Sequence, residues 1–300
     1  MKVEHLIRGL RRDLDDAGLR GSFLVHDLHT GDELGIDPDL EFPIASLVKI
    51  PLAVATLERI RTGELDGAAR VLVQPGHVTT AGPTGLSKFR HPAEVAVDDL
   101  LYLSTCISDN AAADALFALT PPAQVSAIMR AHGLTGITVR HTLRELVETP
   151  AEHLPPADIH LAHFLAIEAG TAGRGHHLPQ LDVTRASSGT ARAFVDLLRA
   201  LWTPSRVDPA VAARVRALMA DNVLRHRLAP DFGSDAAKWS SKTGTLLNLR
   251  HEAGVVEHSG GHSYAVAVLT ESRVPATTQP EAEALMAHVA RTLRDRLRDV

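Results

Sequence analysis

The stretch KWSSKTGTLLNLRHEAGVVEHSGGHSYAVAVLTE, Lys238–Glu271, decides the fold. It contains three extended runs, Lys238–Leu246, Glu252–Glu257 and Tyr264–Glu271, and Gly260-Gly261 between the last two reads as a hairpin. A closing helix is expected over Pro280–Leu297, where Ala282, Leu285, Met286, Val289, Leu293 and Leu297 form one apolar stripe. The front of the chain is built alike. Val3, Leu6, Ile7, Leu10 and Leu14 recur at helical spacing with Gly18 beyond them. Extended runs Gly21–Asp27 and Asp32–Ile36 then flank the turn His29-Thr30-Gly31. Two strands at the start and three at the end, with a helix at each terminus, make one antiparallel sheet the economical solution. The spacing therefore predicts an α+β (α/β/α) fold over residues 1–300: a five-stranded antiparallel sheet flanked by the terminal helices, plus an all-helical lobe. The sheet lobe takes about 1–45 and 203–300, the helical lobe about 46–202, and the cleft between them is the natural place for a site.

Helices dominate the inserted block. Ser46–Ile60 is helical by length, and amphipathic helices are expected over Ser188–Trp202 and Pro209–Leu218. Residues 140–182 differ, mixing Pro150, Pro155, Pro156 and Pro179 with glycines and histidines, with Ile159–Glu168 as a short helix. Such an irregular excursion is usually functional or mobile.

Composition narrows the function. With 45% hydrophobic and 22% charged residues, the 300-residue chain is not disordered, collagenous or coiled-coil. No run reaches the roughly 18 apolar residues of a membrane helix. A net charge of -5 argues against a general nucleic-acid binder. A single cysteine, Cys106, excludes an internal disulfide and a thiolate metal cluster. The start MKVEHLIRGLRRDLDD lacks an apolar h-region, so the expectation is a chain that works in the cytoplasm without a membrane; the -5 charge and the absence of a heptad seam favour a monomer or weak dimer.

Three motifs carry chemistry. Ser46-Leu47-Val48-Lys49 opens the apolar helix, and residues three apart on a helix share a face, so Lys49 can reach the Ser46 hydroxyl. A serine becomes a nucleophile when a neighbour takes its proton. A lysine does so only when neutral, which burial and a second cation favour. Pro51 calls for a tightened first turn. Ser108-Asp109-Asn110 precedes the helical Ala111–Leu119, reading either as a capping segment or as a proton relay with a substrate-facing amide. Lys242-Thr243-Gly244-Thr245 lies on an expected strand, where the glycine admits a close backbone and the lysine offers charge to a carboxylate.

S-x-x-K, then S-D-N, then K-T-G is the signature of penicillin-recognising serine hydrolases, and the chain resembles that superfamily, class A β-lactamases most closely. The resemblance implies an acyl-enzyme mechanism needing no metal or cofactor. It makes Ser46 the nucleophile, Lys49 its proton acceptor, Ser108 the relay, Asn110 a substrate contact and Lys242 the cationic partner. Thr243 would line a carboxylate pocket, Gly244 lies within that strand, and the N–H groups of Ser46 and Thr245 would form the oxyanion hole. Arg250 is a candidate carboxylate clamp.

The pattern departs in one place. Class A enzymes clear the acyl group with a loop glutamate in an E-x-x-L-N context, absent here; Glu145 is the best positional match and Glu148 the second. The resulting expectation is a serine hydrolase acting on a carboxylate-bearing small molecule (amide, ester or lactam) with weak or no β-lactam turnover. A genuine class A β-lactamase using Glu145 and a non-catalytic binding protein that kept the pocket are the alternatives. The histidines of the excursion read as solvated side chains, Cys106 as a small buried hydrophobe, and His226 as a side chain near the cleft.

Overall fold

The computed structural model describes residues 3–168, 174–203 and 206–298, so residues 169–173 of the irregular excursion lie outside the described residues. Its centre is a five-stranded antiparallel sheet: β1 (Leu19–Asp27), β2 (Glu33–Ile36), β3 (Ala237–Leu246), β4 (Leu249–His258) and β5 (Ser263–Ser272). The order is β2-β1-β5-β4-β3, which leaves β3, the strand carrying Lys242, at an edge.

Side-chain alternation gives the sheet two apolar faces. Phe23, Val25, Val266 and Val268 point to one side, packing with Leu10 and Leu14 of α1 (Val3–Asp16) and with Met286, Val289 and Leu293 of the closing helix Pro280–Arg298. Their neighbours Leu24, Ala265, Ala267 and Leu269 face the other way, into a larger core shared with the helical region. That region includes α2 (Lys49–Arg61), α3 (Val97–Cys106) and α4 (Asn110–Leu119), followed by the five-residue α5 (Leu143–Val147), α6 (Ile159–Glu168), α7 (Ala191–Trp202) and α8 (Pro209–Ala220), while the closing α9 (Pro280–Arg298) lies with α1 on the opposite face.

Three local outcomes differ from the sequence expectation, the first two through a cap and a tight turn. Helix α7 starts at Ala191, not Ser188, because the Thr190 side chain caps it by accepting from Ala193 N; Ser188–Gly189 instead pair with Phe42–Pro43 and Ile137–Thr138. Strand β4 begins at Leu249, because a tight turn at Leu247 (φ 46°) reverses the chain directly after β3. A hairpin of Arg70–Val73 with Ala93–Ala96 interrupts the helical block. As Pro51 suggested, the segment before α2 is a tightened turn, a 3-10 helix over Ala45–Val48. No described helix is long and apolar enough to cross a membrane.

Candidate active site

Ser46 sits in that 3-10 turn, preceded by Ala45 at φ 46°. A Cβ-bearing residue in the left-handed region costs on the order of 1–3 kcal/mol, so the surroundings must impose it. Ile44 N donates to Ser187 O at 3.0 Å and Leu47 N to Ile44 O at 3.0 Å, pinning the turn from both sides. Ala45, Leu47, Val48 and Lys49 are buried while Ser46 remains half-buried at the lip.

Lys49 enters the core at 0% exposure. Its Nζ donates to Ser108 O (2.8 Å), Ser108 Oγ (3.1 Å) and Asn110 Oδ1 (2.8 Å). Burial, then the nearby Lys242 charge, hold its pKa well below the ordinary lysine value. The partner set has a chemical consequence. An ammonium has three protons for these three acceptors, but a neutral amine has two. Of the three partners only the Ser108 hydroxyl can reverse and donate, so loss of a proton from Lys49 recruits Ser108 O–H toward it.

Ser108 supplies both carbonyl and hydroxyl to Lys49 because it turns through φ 59° between α3 and α4. Asp109 behind it is fully buried and caps α4, accepting from Ala111 N at 3.0 Å and Ala112 N at 3.3 Å. The capping and the relay readings of this motif therefore coexist: Asp109 caps, and its neighbours face Lys49.

From the sheet side, Lys242 Nζ donates to Ser108 Oγ at 3.0 Å and to Thr243 O at 2.9 Å. Burial first, and then the Arg227 charge, push its pKa down to about 7, against the opposing pull of Glu252. Gly244 explains the third motif: a Cβ there would lie 3.0 Å from Ile44 O and 3.2 Å from Leu47 Cγ. The strand thus packs directly on the turn bearing Ser46. Thr243 is buried and Thr245 exposed beside it. Lys49, Ser108, Asn110 and Lys242 meet through hydrogen bonds, with Ser46 on the adjoining turn.

Two candidates are engaged in other contacts. Arg250 pairs with Thr245 in register, yet its guanidinium donates to Leu247 O (2.5 Å), Leu249 O (2.8 Å) and Thr277 O (2.7 Å), with Glu283 at 4.0 Å. It is buried fastening the β3–β4 turn, whose carbonyls converge on it, and burial lowers its pKa to about 10. It is not a clamp free to meet a carboxylate. Glu145 is exposed, and its Oε2 accepts from Thr142 N and Thr142 Oγ1, both at 2.8 Å. That is a capping box on α5. The carboxylates that bear electrostatically on Lys49 are Asp109 and Asp114 instead.

Sequence reasoning missed Arg227, Glu252 and His251. Arg227 donates to Gly244 O (2.9 Å), His251 O (2.9 Å) and Thr245 Oγ1 (2.7 Å), bracing β3, and pairs with Glu283 at 3.0 Å. Its neighbour His226 faces Glu283 at 3.7 Å, not the Ser46 turn. Glu252, fully buried, accepts from Trp239 Nε1 (2.9 Å), Ser241 Oγ (2.6 Å) and Leu228 N (2.8 Å). The only sequence signal for these was ionisable residues on otherwise apolar strand and loop segments. Cys106 is buried with its thiol pushed up to about 12 by burial, and its Sγ lies 3.1 Å from Leu218 O. Among the described residues no group of three His, Cys, Asp or Glu is placed to hold a metal ion.

Sheet, helical region and the Ser-Lys-Ser-Lys set together define a β-lactamase-like serine site. The chain belongs to the beta-lactamase enzyme family, whose model matches residues 5–297. It is 68% identical, over all of this chain and 99% of the relative, to a Streptomyces cacaoi protein named beta-lactamase regulatory protein BlaB. Among solved structures, a beta-lactamase from Chitinophaga pinensis matches 98% of this chain and 99% of its own with TM-score 0.76 at 18% identity. A variant of PBP-A, solved as an acyl-enzyme complex with penicillin-G, matches 99% of this chain and 97% of its own with TM-score 0.75 at 18% identity. At these identities the two structures speak for the fold.

Proposed function

We propose that the chain is a penicillin-reactive serine acyl-acceptor: Ser46 takes the acyl group of a carboxylate-bearing lactam or amide and releases it slowly. The observation that carries this reading is the buried line Lys49–Ser108–Lys242, with both lysines bonded to one hydroxyl. Neutral Lys49 accepts the Ser46 Oγ proton as Oγ bonds to the carbonyl carbon. The carbon–nitrogen bond breaks, and the leaving nitrogen takes the Ser108 hydroxyl proton, which Lys49 replaces. The N–H groups of Ser46 and Thr245 hold the developing oxyanion. Lys242 faces the substrate carboxylate.

Slow release follows from Glu145. A general base must stand within one water of the ester carbon, and this carboxylate is engaged in capping its own helix. A long-lived adduct suits sensing better than clearance, consistent with the regulatory name of the Streptomyces cacaoi relative.

Intact mass spectrometry with benzylpenicillin tests this. One adduct should form on the wild type, persist for minutes to hours, and be absent from Ser46→Ala. Rapid turnover of a chromogenic cephalosporin would instead establish a β-lactamase with a working base. A second reading rests on that same relative's name: a regulatory ligand-binding protein that never acylates. It requires no mass shift with penicillin or fluorophosphonate and undiminished ligand affinity in Ser46→Ala.

A further inference from the structure

The sheet holds a carboxylate that the acylation steps leave unused. Glu252 on β4 is fully buried, and its three partners are neutral donors. Trp239 Nε1 and Ser241 Oγ bond Oε1 at 2.9 and 2.6 Å, and Leu228 N bonds Oε2 at 2.8 Å. Both oxygens act only as acceptors, the pattern of an ionised carboxylate. With no cation against it and little water to screen it, such an anion acts on the charges around it.

Two of those charges reach the site. Leu228 follows Arg227 in the chain, and Arg227 donates to Gly244 O (2.9 Å) and Thr245 Oγ1 (2.7 Å), on the segment packed against the Ser46 turn. Ser241 precedes Lys242, and Glu252 pairs in register with Thr243, which follows it. The carboxylate thus brackets Lys242 along the strand. Lys242 donates to Ser108 Oγ at 3.0 Å, the same oxygen that Lys49 reaches at 3.1 Å.

We infer that Glu252 is a positioning residue: it pins the Arg227 loop to the sheet edge and keeps the positive charge of the lysine pair on Lys242, leaving Lys49 free as the base. The inference rests on the acylation reading above for what the two lysines do. The charges facing the pair are opposed. Behind burial, Arg227 lowers the Lys242 pKa, whereas Glu252 and then Cys106 of α3 raise it. Behind burial, Lys242 lowers the Lys49 pKa, whereas Asp109 and Asp114 of the helical side raise it. Glu252 is therefore the carboxylate on the sheet side of the balance. Without its charge the proton shifts toward Lys49, where it blocks the base.

The chain has five lysines, so labelling them with 13C at Cε gives few NMR signals to follow through a pH titration. The Lys242 signal is assigned by its loss in Lys242→Ala. In the wild type it should titrate near 7. Glu252→Gln should lower that midpoint by about one unit, and Glu252→Asp, which keeps the charge but withdraws it from its donors, should leave it within about 0.3 of the wild type. A midpoint unmoved in Glu252→Gln, or moved equally in both variants, overturns the inference. If Glu252→Gln has no folded melting curve, Glu252→Asp decides alone: a midpoint near that of the wild type supports it, and a fall of about one unit overturns it. Benzylpenicillin acylation from pH 5 to 9 gives the second readout. In Glu252→Gln the acid limb, set by neutral Lys49, should move up, and the alkaline limb, set by the Lys242 ammonium, should move down. Slower acylation with both limbs in place marks a merely structural role and overturns the inference. If benzylpenicillin does not acylate the wild type, the acylation reading itself falls, and the NMR titration decides by itself whether Glu252 holds the charge on Lys242.

Discussion

Lys49 and Lys242 place their Nζ atoms 3.1 and 3.0 Å from one oxygen, Ser108 Oγ, and neither lysine is exposed. Two buried ammonium ions around one hydroxyl repel each other, so each favours the neutral form of the other. The arrangement keeps a lysine available as a base near neutral pH without a histidine or carboxylate in that role.

Removing Lys242 should therefore weaken the base. Lys49 acts when neutral, and its pKa is lowered first by burial and second by Lys242. In Lys242→Ala the Lys49 pKa rises, so the acid limb of acylation moves to higher pH. On that limb a move of about one unit lowers the rate at a fixed pH roughly tenfold. Labelling by a fluorescent penicillin from pH 5 to 9 measures it, and a limb that stays put or moves to lower pH contradicts the coupling.

Much of this site was legible in the sequence because its chemistry sits in three short contiguous motifs. Local spacing put Ser46 and Lys49 on one turn, and the two extended runs at the start with three at the end implied the sheet. What escaped was set by long-range packing. Arg227 and Arg250 are both arginines near the β3 segment, and only the three-dimensional path of the turn at Leu247 decides which braces the strand and which fastens the turn. Glu145 has the right position in the chain, but the local Thr142 cap claims its carboxylate. Both roles were assigned by sequence position, where hydrogen-bond competition sets what the side chain contacts.

His251 should make the fold sensitive to acid. Its Nε2 lies 2.8 Å from Pro43 O and its Nδ1 accepts from Thr270 N at 3.1 Å, an arrangement that needs the neutral ring. Burial is the main cause of its pKa falling to about 3, against 6.5 for a free histidine. The unfolded chain binds this proton below about pH 6.5 and the folded chain does not, so stability declines as pH falls from 6.5 toward 3. Urea unfolding at pH 7 and pH 4.5 should show His251→Gln losing less stability between the two than the wild type.

Gly244→Ala should separate the sheet edge from the nucleophile turn. The added methyl would meet the Ile44 carbonyl at 3.0 Å, a backbone atom fixed by the strained turn at Ala45. Overpacking of this kind costs about 1–3 kcal/mol. Because Thr245 and Lys242 move with the strand, acylation should fall about 100-fold, more than the melting temperature alone would suggest. Acylation within threefold of wild type would mean that β3 and the Ser46 turn are not in the fixed contact described.

Glu145→Ala distinguishes capping from catalysis. As half of the capping box with Thr142, Glu145 should contribute about 0.5–1 kcal/mol to stability. The Thr142 N–H holds its carboxyl below the ordinary value of 4.5, so this contribution is present above that pH and fades as acid protonates the group. If the carboxylate only caps, the lifetime of the penicillin adduct should change less than threefold while the melting temperature drops by a few degrees. An adduct that persists at least tenfold longer in the variant would make Glu145 the base that clears it, through a movement of α5 toward Ser46 that frees the carboxylate from Thr142.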